Sequence, residues 1–210
     1  EAQGHPARAA ERYQQALECR PGHPVAKACL VRAYQAASLF AELDAFTARE
    51  LKEATDVNTR VGAYERQARL AVQRSDSEGL INAYRNVLTF DSNNHAAMRA
   101  LERHFIASQQ WGELVHLYEQ MGLTATDTAY GVHIHLDRAR LRERLVRQGH
   151  GDASTLANEL ENDFRLALYR DRHCLPALRS LLAAALAKKD PQQVATLSKN
   201  AAEQFAAAGD

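Results

Sequence analysis

Apolar residues recur at intervals of three and four along nearly the whole chain, and no stretch sustains the every-other-residue alternation of a half-buried strand. Ala9, Tyr13, Ala16 and Leu17 share one helical face. The same spacing groups Leu30 with Tyr34, Tyr84 with Val87 and Leu88, Leu101 with Phe105, and Leu178 with Leu181 and Leu182. Helix punctuation separates these groups. His23-Pro24 and Asp190-Pro191 put proline at a first helical position, where its missing N–H costs nothing. Asp76, Asn94, Asp127 and Asp152 or Ser154 are N-cap residues. Gly22, Gly122 and the turn Gly149-His150-Gly151 are stops. The pattern predicts helices near 6–20, 24–38, 41–54, 57–74, 76–91, 94–108, 110–121, 127–148, 152–171, 174–187 and 190–208. With alanine abundant and β-branched residues sparse, the fold class is all-α.

Period comes next, because a repeat changes how every residue is read. Ala9, Tyr13, Ala16, Leu17 and Pro21 spell Ala-x3-aromatic-x2-Ala-Leu-x3-Pro, which resembles the second helix of a tetratricopeptide repeat. Leu30 and Tyr34 then fall where that family has its first-helix Leu and Tyr, with Val31 where a small residue is usual. Tyr84, Val87 and Leu88 match Tyr118 and Met121 at a step of 34 residues, with Leu101 and Phe105 on the first helix between them and Trp111 opening the second. Leu88-Thr-Phe-Asp-Ser-Asn-Asn resembles the family's inter-repeat connection, with Ser92 in place of proline. Leu160, Phe164, Ala167 and Leu168 begin a further displaced copy. The resemblance is degenerate but covers nearly the whole chain. It implies a right-handed superhelical solenoid of stacked antiparallel hairpins, about eleven helices in one array over residues 1–210. It also implies a non-catalytic scaffold for protein–protein interaction. The first helix is of the second type with none before it, and residue 1 is Glu. The chain is therefore expected to be a piece of a longer protein, or to pack there against another subunit.

Charge balance, 26 Lys and Arg against 26 Asp and Glu, argues against a dedicated nucleic-acid binder. Its distribution is uneven. The five first-type helices carry 14 basic and 5 acidic residues, a net of +9, and the second-type helices are net negative. The resemblance places first helices along the concave groove. Arg32, Arg69 and Arg103 occupy one first-helix position, Arg99 lies a turn before Arg103, and Arg142 and Arg179 extend the line. Arginine forks grip carboxylates bidentately, so the expected partner is a segment carrying Asp or Glu. The competing reading is a solvated face paired with local acids, Glu65 and Glu102 among them. Self-association, acidic outer helices meeting a basic groove, is the alternative function. Single-stranded RNA in the groove is a weaker one, and an enzyme the least supported.

Candidate chemistry changes little. His133 and His135 point to nearly opposite sides of a helix, and only His133 shares a face with Asp137, which is too few ligands for zinc. His173-Cys174 is adjacent in sequence, and adjacency alone makes no nucleophile–base pair. Glu159, Glu161 and Asp163 read as a solvated outer face. No phosphate loop or nucleophile elbow occurs, so no cofactor or metal is expected. The co-chaperone peptide clamp would need Lys and Asn on successive first helices; Lys27 fits loosely and no asparagine series accompanies it. Cys19, Cys29 and Cys174 form no framework and suit a reducing compartment, so a cytoplasmic location is expected. The longest uncharged apolar stretch, 180–187, is too short to span a bilayer.

Overall fold

The computed structural model describes residues 5–150 and 152–207, and the described residues form eleven α-helices and no strand. They are α1 (Pro6–Cys19), α2 (Pro24–Ala36), α3 (Phe40–Glu53), α4 (Val57–Gln73), α5 (Ser77–Phe90), α6 (His95–Ala107), α7 (Trp111–Thr124), α8 (Thr128–Arg147), α9 (Ala153–Arg170), α10 (Leu175–Ala187) and α11 (Pro191–Ala207). No end departs from its sequence-based position by more than three residues. The caps explain the agreement. Asp56, Asp76, Asp127 and Asp152 each accept a hydrogen bond from the backbone N–H three residues on, satisfying an orphan donor of the first turn. Asn94 and His23 do the same through Oδ1 and Nδ1.

Two kinds of connection alternate. Ser38, Ser75, Gln109, Gly149 and Lys189 all have φ between 53° and 71° and stand between α2 and α3, α4 and α5, α6 and α7, α8 and α9, and α10 and α11. After each, paired N–H groups turn back onto the helix just ended: Ser75 N–H bonds Val72 O and Asp76 N–H bonds Ala71 O. This is a Schellman stop, repeated five times among the described residues, and it closes each hairpin with the same hydrogen-bond pattern. The connections between hairpins come in two forms. Before α2, α6 and α10 a tight turn bonds His23, Asn94 and Cys174 N–H to the carbonyl three residues earlier. Before α4 and α8 the chain passes through an extended alanine, Ala54 or Ala125, into an aspartate cap. Each alanine carbonyl is bound by an arginine, Ala54 by Arg60 at 3.1 and 3.2 Å and Ala125 by Arg170 at 3.0 Å.

The true period is therefore two hairpins. Ser38 and Gln109, Ala54 and Ala125, and Asp56 and Asp127 are each 71 residues apart. The core follows the same step: Ala26 and Ala97, Leu30 and Leu101, Tyr34 and Phe105, Leu43 and Leu114, Ala68 and Ala139, and Leu70 and Leu141 are buried in both copies.

The chain divides into two compact units, Glu1–Ala97 and Met98–Asp210, parting at the start of the second copy. In the first, α1 to α5 pack each against the next, and Leu30, Ala33, Tyr34, Leu43 and Leu70 form its core with Ala10 of α1. Complete burial of Leu30 and Leu43 contributes about 1.5–3 kcal/mol each. In the second, α7 to α11 likewise pack in sequence. Val132, Leu136, Ala167 and Ala177 form one cluster, and Leu178, Leu181, Ala185 and Leu197 another. No described helix is long and apolar enough to cross a membrane.

Candidate partner-binding groove

The packing of α2, α3 and α4 leaves an open groove of about 660 Å³ in the first unit. Arg32 from α2 and Arg69 from α4 both line it, so two of the six arginines singled out in the sequence meet on one surface. Both side chains are exposed and lightly held. Arg69 lies 3.9 Å from Glu65, one turn back on its own helix, and Arg32 donates only to Cys29 Sγ, a weak acceptor, at 3.4 Å. Lys27 and Arg66 complete the cationic lining, and Gln35, Asn58 and Thr59 add neutral polar groups.

Glu50, rising from α3, is the groove's one acid. Its carboxylate accepts from Arg66 Nη2 and lies 3.6 Å from Lys27 Nζ. Burial pushes the Arg66 guanidinium below its usual range, and Arg69 nearby adds to the push. Four cations facing one carboxylate leave a net positive surface. Sequence reasoning missed Arg66, although it lies three residues before Arg69 and hence on the same face.

The other four arginines belong to the second unit. Arg99 and Arg103 are exposed a turn apart on α6, with Arg103 Nε donating to Arg99 O at 3.3 Å, and Arg179 is exposed on α10. Glu102 sits among them. It accepts from Tyr118 Oη at 2.6 Å; burial first, and then this bond to a carboxylate, push the Tyr118 phenol well above its usual range. Counting on by 71 residues, Lys27, Glu50 and Arg66 are replaced by Met98, Met121 and Asp137. The corresponding face of the second unit is therefore of mixed sign.

Arg142 requires a correction. It is buried rather than facing a groove, and its guanidinium bonds Asp163 Oδ2 and approaches Glu159 at 3.1 Å. Register gives the reason: the position 71 residues earlier is Ala71, also buried, whereas the counterpart of Arg69 is the exposed Arg140, paired with Asp137 at 2.8 Å. Helix α8 is three residues longer than α4, so the two helices do not share one register at their ends. The acids of α9 are also not a solvated face. Asp163 is 0% exposed and Glu161 is 6% exposed. Asp163 takes Arg138 Nε at 2.7 Å as well as Arg142; burial raises its pKa while the two guanidiniums oppose that rise. Glu161 is held low by Lys188 Nζ at 2.6 Å, and Arg165 also bonds it.

His133 is exposed, while His135 is buried against Gly122. Burial first, then Arg138 and Arg170, lower the imidazole to about 4, so it is neutral at physiological pH. Cys29 and Cys174 are buried free thiols and Cys19 is an exposed one. Among the described residues no group of three or more His, Cys, Asp or Glu is placed to hold a metal ion.

Repeated antiparallel hairpins closed by the same stop define an all-α helical-repeat fold, and the aromatic and small residues at its packing positions are similar to those of tetratricopeptide repeats. No family model matches the chain, and no curated protein matches it. Among solved structures it is similar to the crystal structure of a tetratricopeptide repeat protein from Parabacteroides merdae, at 12% identity and a TM-score of 0.44, over 95% of this chain and 86% of that one.

Proposed function

We propose that the chain is a non-catalytic protein-interaction module and that the α2–α3–α4 groove binds a partner segment carrying Asp or Glu. The carrying observation is that Arg32 and Arg69 line one groove with Lys27 and Arg66, against Glu50 alone. Two exposed guanidinium forks on adjacent first-type helices suit an extended or helical segment that presents carboxylates along one side. Arg99, Arg103 and Arg179 lie in the second unit and do not line this groove, and Arg142 is excluded by its burial. Titration calorimetry of the intact chain with a Glu-rich peptide, and with the same peptide carrying Gln for Glu, tests the idea. Each exposed charge-assisted contact is worth on the order of 1 kcal/mol. Arg32→Glu with Arg69→Glu should therefore weaken the acidic peptide more than tenfold, and the Gln peptide should bind no variant well. Unchanged affinity in the double variant, or equal binding of the two peptides, would refute it.

A further inference from the structure

Beside the groove, and sharing Lys27, Phe46 and Glu50 with it, α1, α2 and α3 form a half-open cavity of about 440 Å³, within the size range of small-ligand sites. Its floor is apolar and aromatic, made by Leu17, Leu30, Tyr34 and Phe46. Its rim is acidic. Glu18, Glu42 and Glu53 stand at the opening, all exposed, and among the described residues none of the three is in an ion pair. Two basic side chains also line the cavity, but Lys27 is engaged with Glu50, which leaves Arg49 alone against three carboxylates. The negative field reaches the floor: burial, then Glu42, raise the Tyr34 hydroxyl above its usual range.

An apolar pit under an acidic rim matches one kind of group, a cationic head on an aliphatic stem. We propose that this cavity is a second binding site, taking a lysine or arginine side chain presented by a protein partner. The stem lies over Phe46 and Leu17, where a ring face adds attraction for the cation. The head lies among Glu18, Glu42 and Glu53. The three carboxylates disfavour an anionic group here, as the four cations of the groove disfavour a cation there.

Glu50 borders both spaces. A cation in the cavity competes with Lys27 and Arg66 for its carboxylate, and each interaction it wins frees a positive charge toward the groove. Occupancy of the two sites is then linked with positive sign, and the linkage is reciprocal. This coupling rests on the groove reading given above; the cavity site does not.

The probe is Nα-acetyl-arginine amide, compared with its neutral isostere Nα-acetyl-citrulline amide, in amide chemical-shift titrations of the full chain. Saturable shifts confined to α1, α2 and α3 are expected with the arginine compound. Binding should be at least tenfold weaker with citrulline, and at least tenfold weaker in Glu42→Gln/Glu53→Gln, whose exposed positions leave the core intact. Equal binding of the two compounds, full affinity in that variant, or shifts centred elsewhere would overturn the site. Arg32→Glu/Arg69→Glu separates the two readings: it should lose the acidic peptide and keep acetyl-arginine amide. Saturating acetyl-arginine amide should tighten the acidic peptide a few-fold in the parent chain and not in Glu50→Gln. No change in the parent would remove the linkage.

Discussion

Replacing Asp163 with asparagine keeps the side chain's size and removes the single negative charge that two buried guanidiniums share. The Arg138 and Arg142 side chains are 4% and 10% exposed, so neither can recover its hydration by a small rotation. Breaking a buried pair from one side costs about 3–5 kcal/mol, because the remaining charge stays desolvated and unpaired. Glu159 remains 3.1 Å from Arg142 Nε and offsets part of that loss, while nothing comparable stands beside Arg138. About 3 kcal/mol is the expectation, which for a chain of 210 residues lowers the melting temperature by about 6–12 °C. Urea unfolding followed by far-ultraviolet circular dichroism measures it. A shift below about 1 kcal/mol would mean that the two arginines are solvated in solution and that the cluster is not a buried one. A companion variant separates charge from packing. One period earlier the position of Arg142 holds Ala71, buried without charge. Arg138→Met/Arg142→Leu/Asp163→Leu should therefore recover most of the lost stability, since apolar replacement of a buried ion cluster is commonly neutral or favourable. If the triple variant is as unstable as Asp163→Asn, the loss comes from shape and the electrostatic reasoning fails.

Acid should loosen the second unit through His135. Its folded pKa, about 4, lies below the ordinary 6.5, so the folded state binds fewer protons than the unfolded one. Its contribution is complete above pH 6.5 and falls as pH drops toward 4, by about 3 kcal/mol in all; His135→Gln should flatten that slope in denaturation series across the window, and an unchanged slope would count against a buried neutral imidazole. The left-handed turns offer the opposite test. Gln109 and Ser75 have φ of 55° and 56°, a conformation that costs a side chain about 1–2 kcal/mol, so glycine at either position should raise stability by about 0.5–1 kcal/mol after its own chain entropy. Gly122→Ala should do harm, because the added carbon would lie 2.9 Å from His135 Cε1; a loss of about 1–3 kcal/mol by urea unfolding is expected, and a neutral result would show that the imidazole moves freely.

Helix positions were legible because they depend on local chemistry. Asp56, Asp76, Asp127 and Asp152 each cap the helix that follows by bonding an N–H three residues away, and no distant contact is needed to place such a boundary. The hairpin pattern was legible for the same reason, since it rests on small and aromatic residues close together along the chain. The 71-residue period was harder to see. It is carried by the difference between two kinds of connection, one a tight turn and one an extended alanine with an aspartate cap. Those differ in backbone conformation more than in composition.

The charged residues show where sequence patterning stops being informative. Arg69 and Arg142 both lie on first-type helices, in helical register with other arginines, yet one points into a groove and the other into a core. What separates them is whether a carboxylate waits across the hairpin, and Asp163 is 21 residues away on another helix. The sequence signal that would have found it is the small residue at the counterpart of Arg142, Ala71. A position that holds a buried alanine in one copy and a buried arginine in the other has kept its burial and exchanged its chemistry. The same comparison explains why the basic groove belongs to the first unit. Lys27, Glu50 and Arg66 form an ion cluster there, and the corresponding Met98, Met121 and Asp137 cannot present four cations to a ligand. Each hairpin needs its stop and its small packing residues to close, whereas the charges on its exposed face can differ from copy to copy without loosening it.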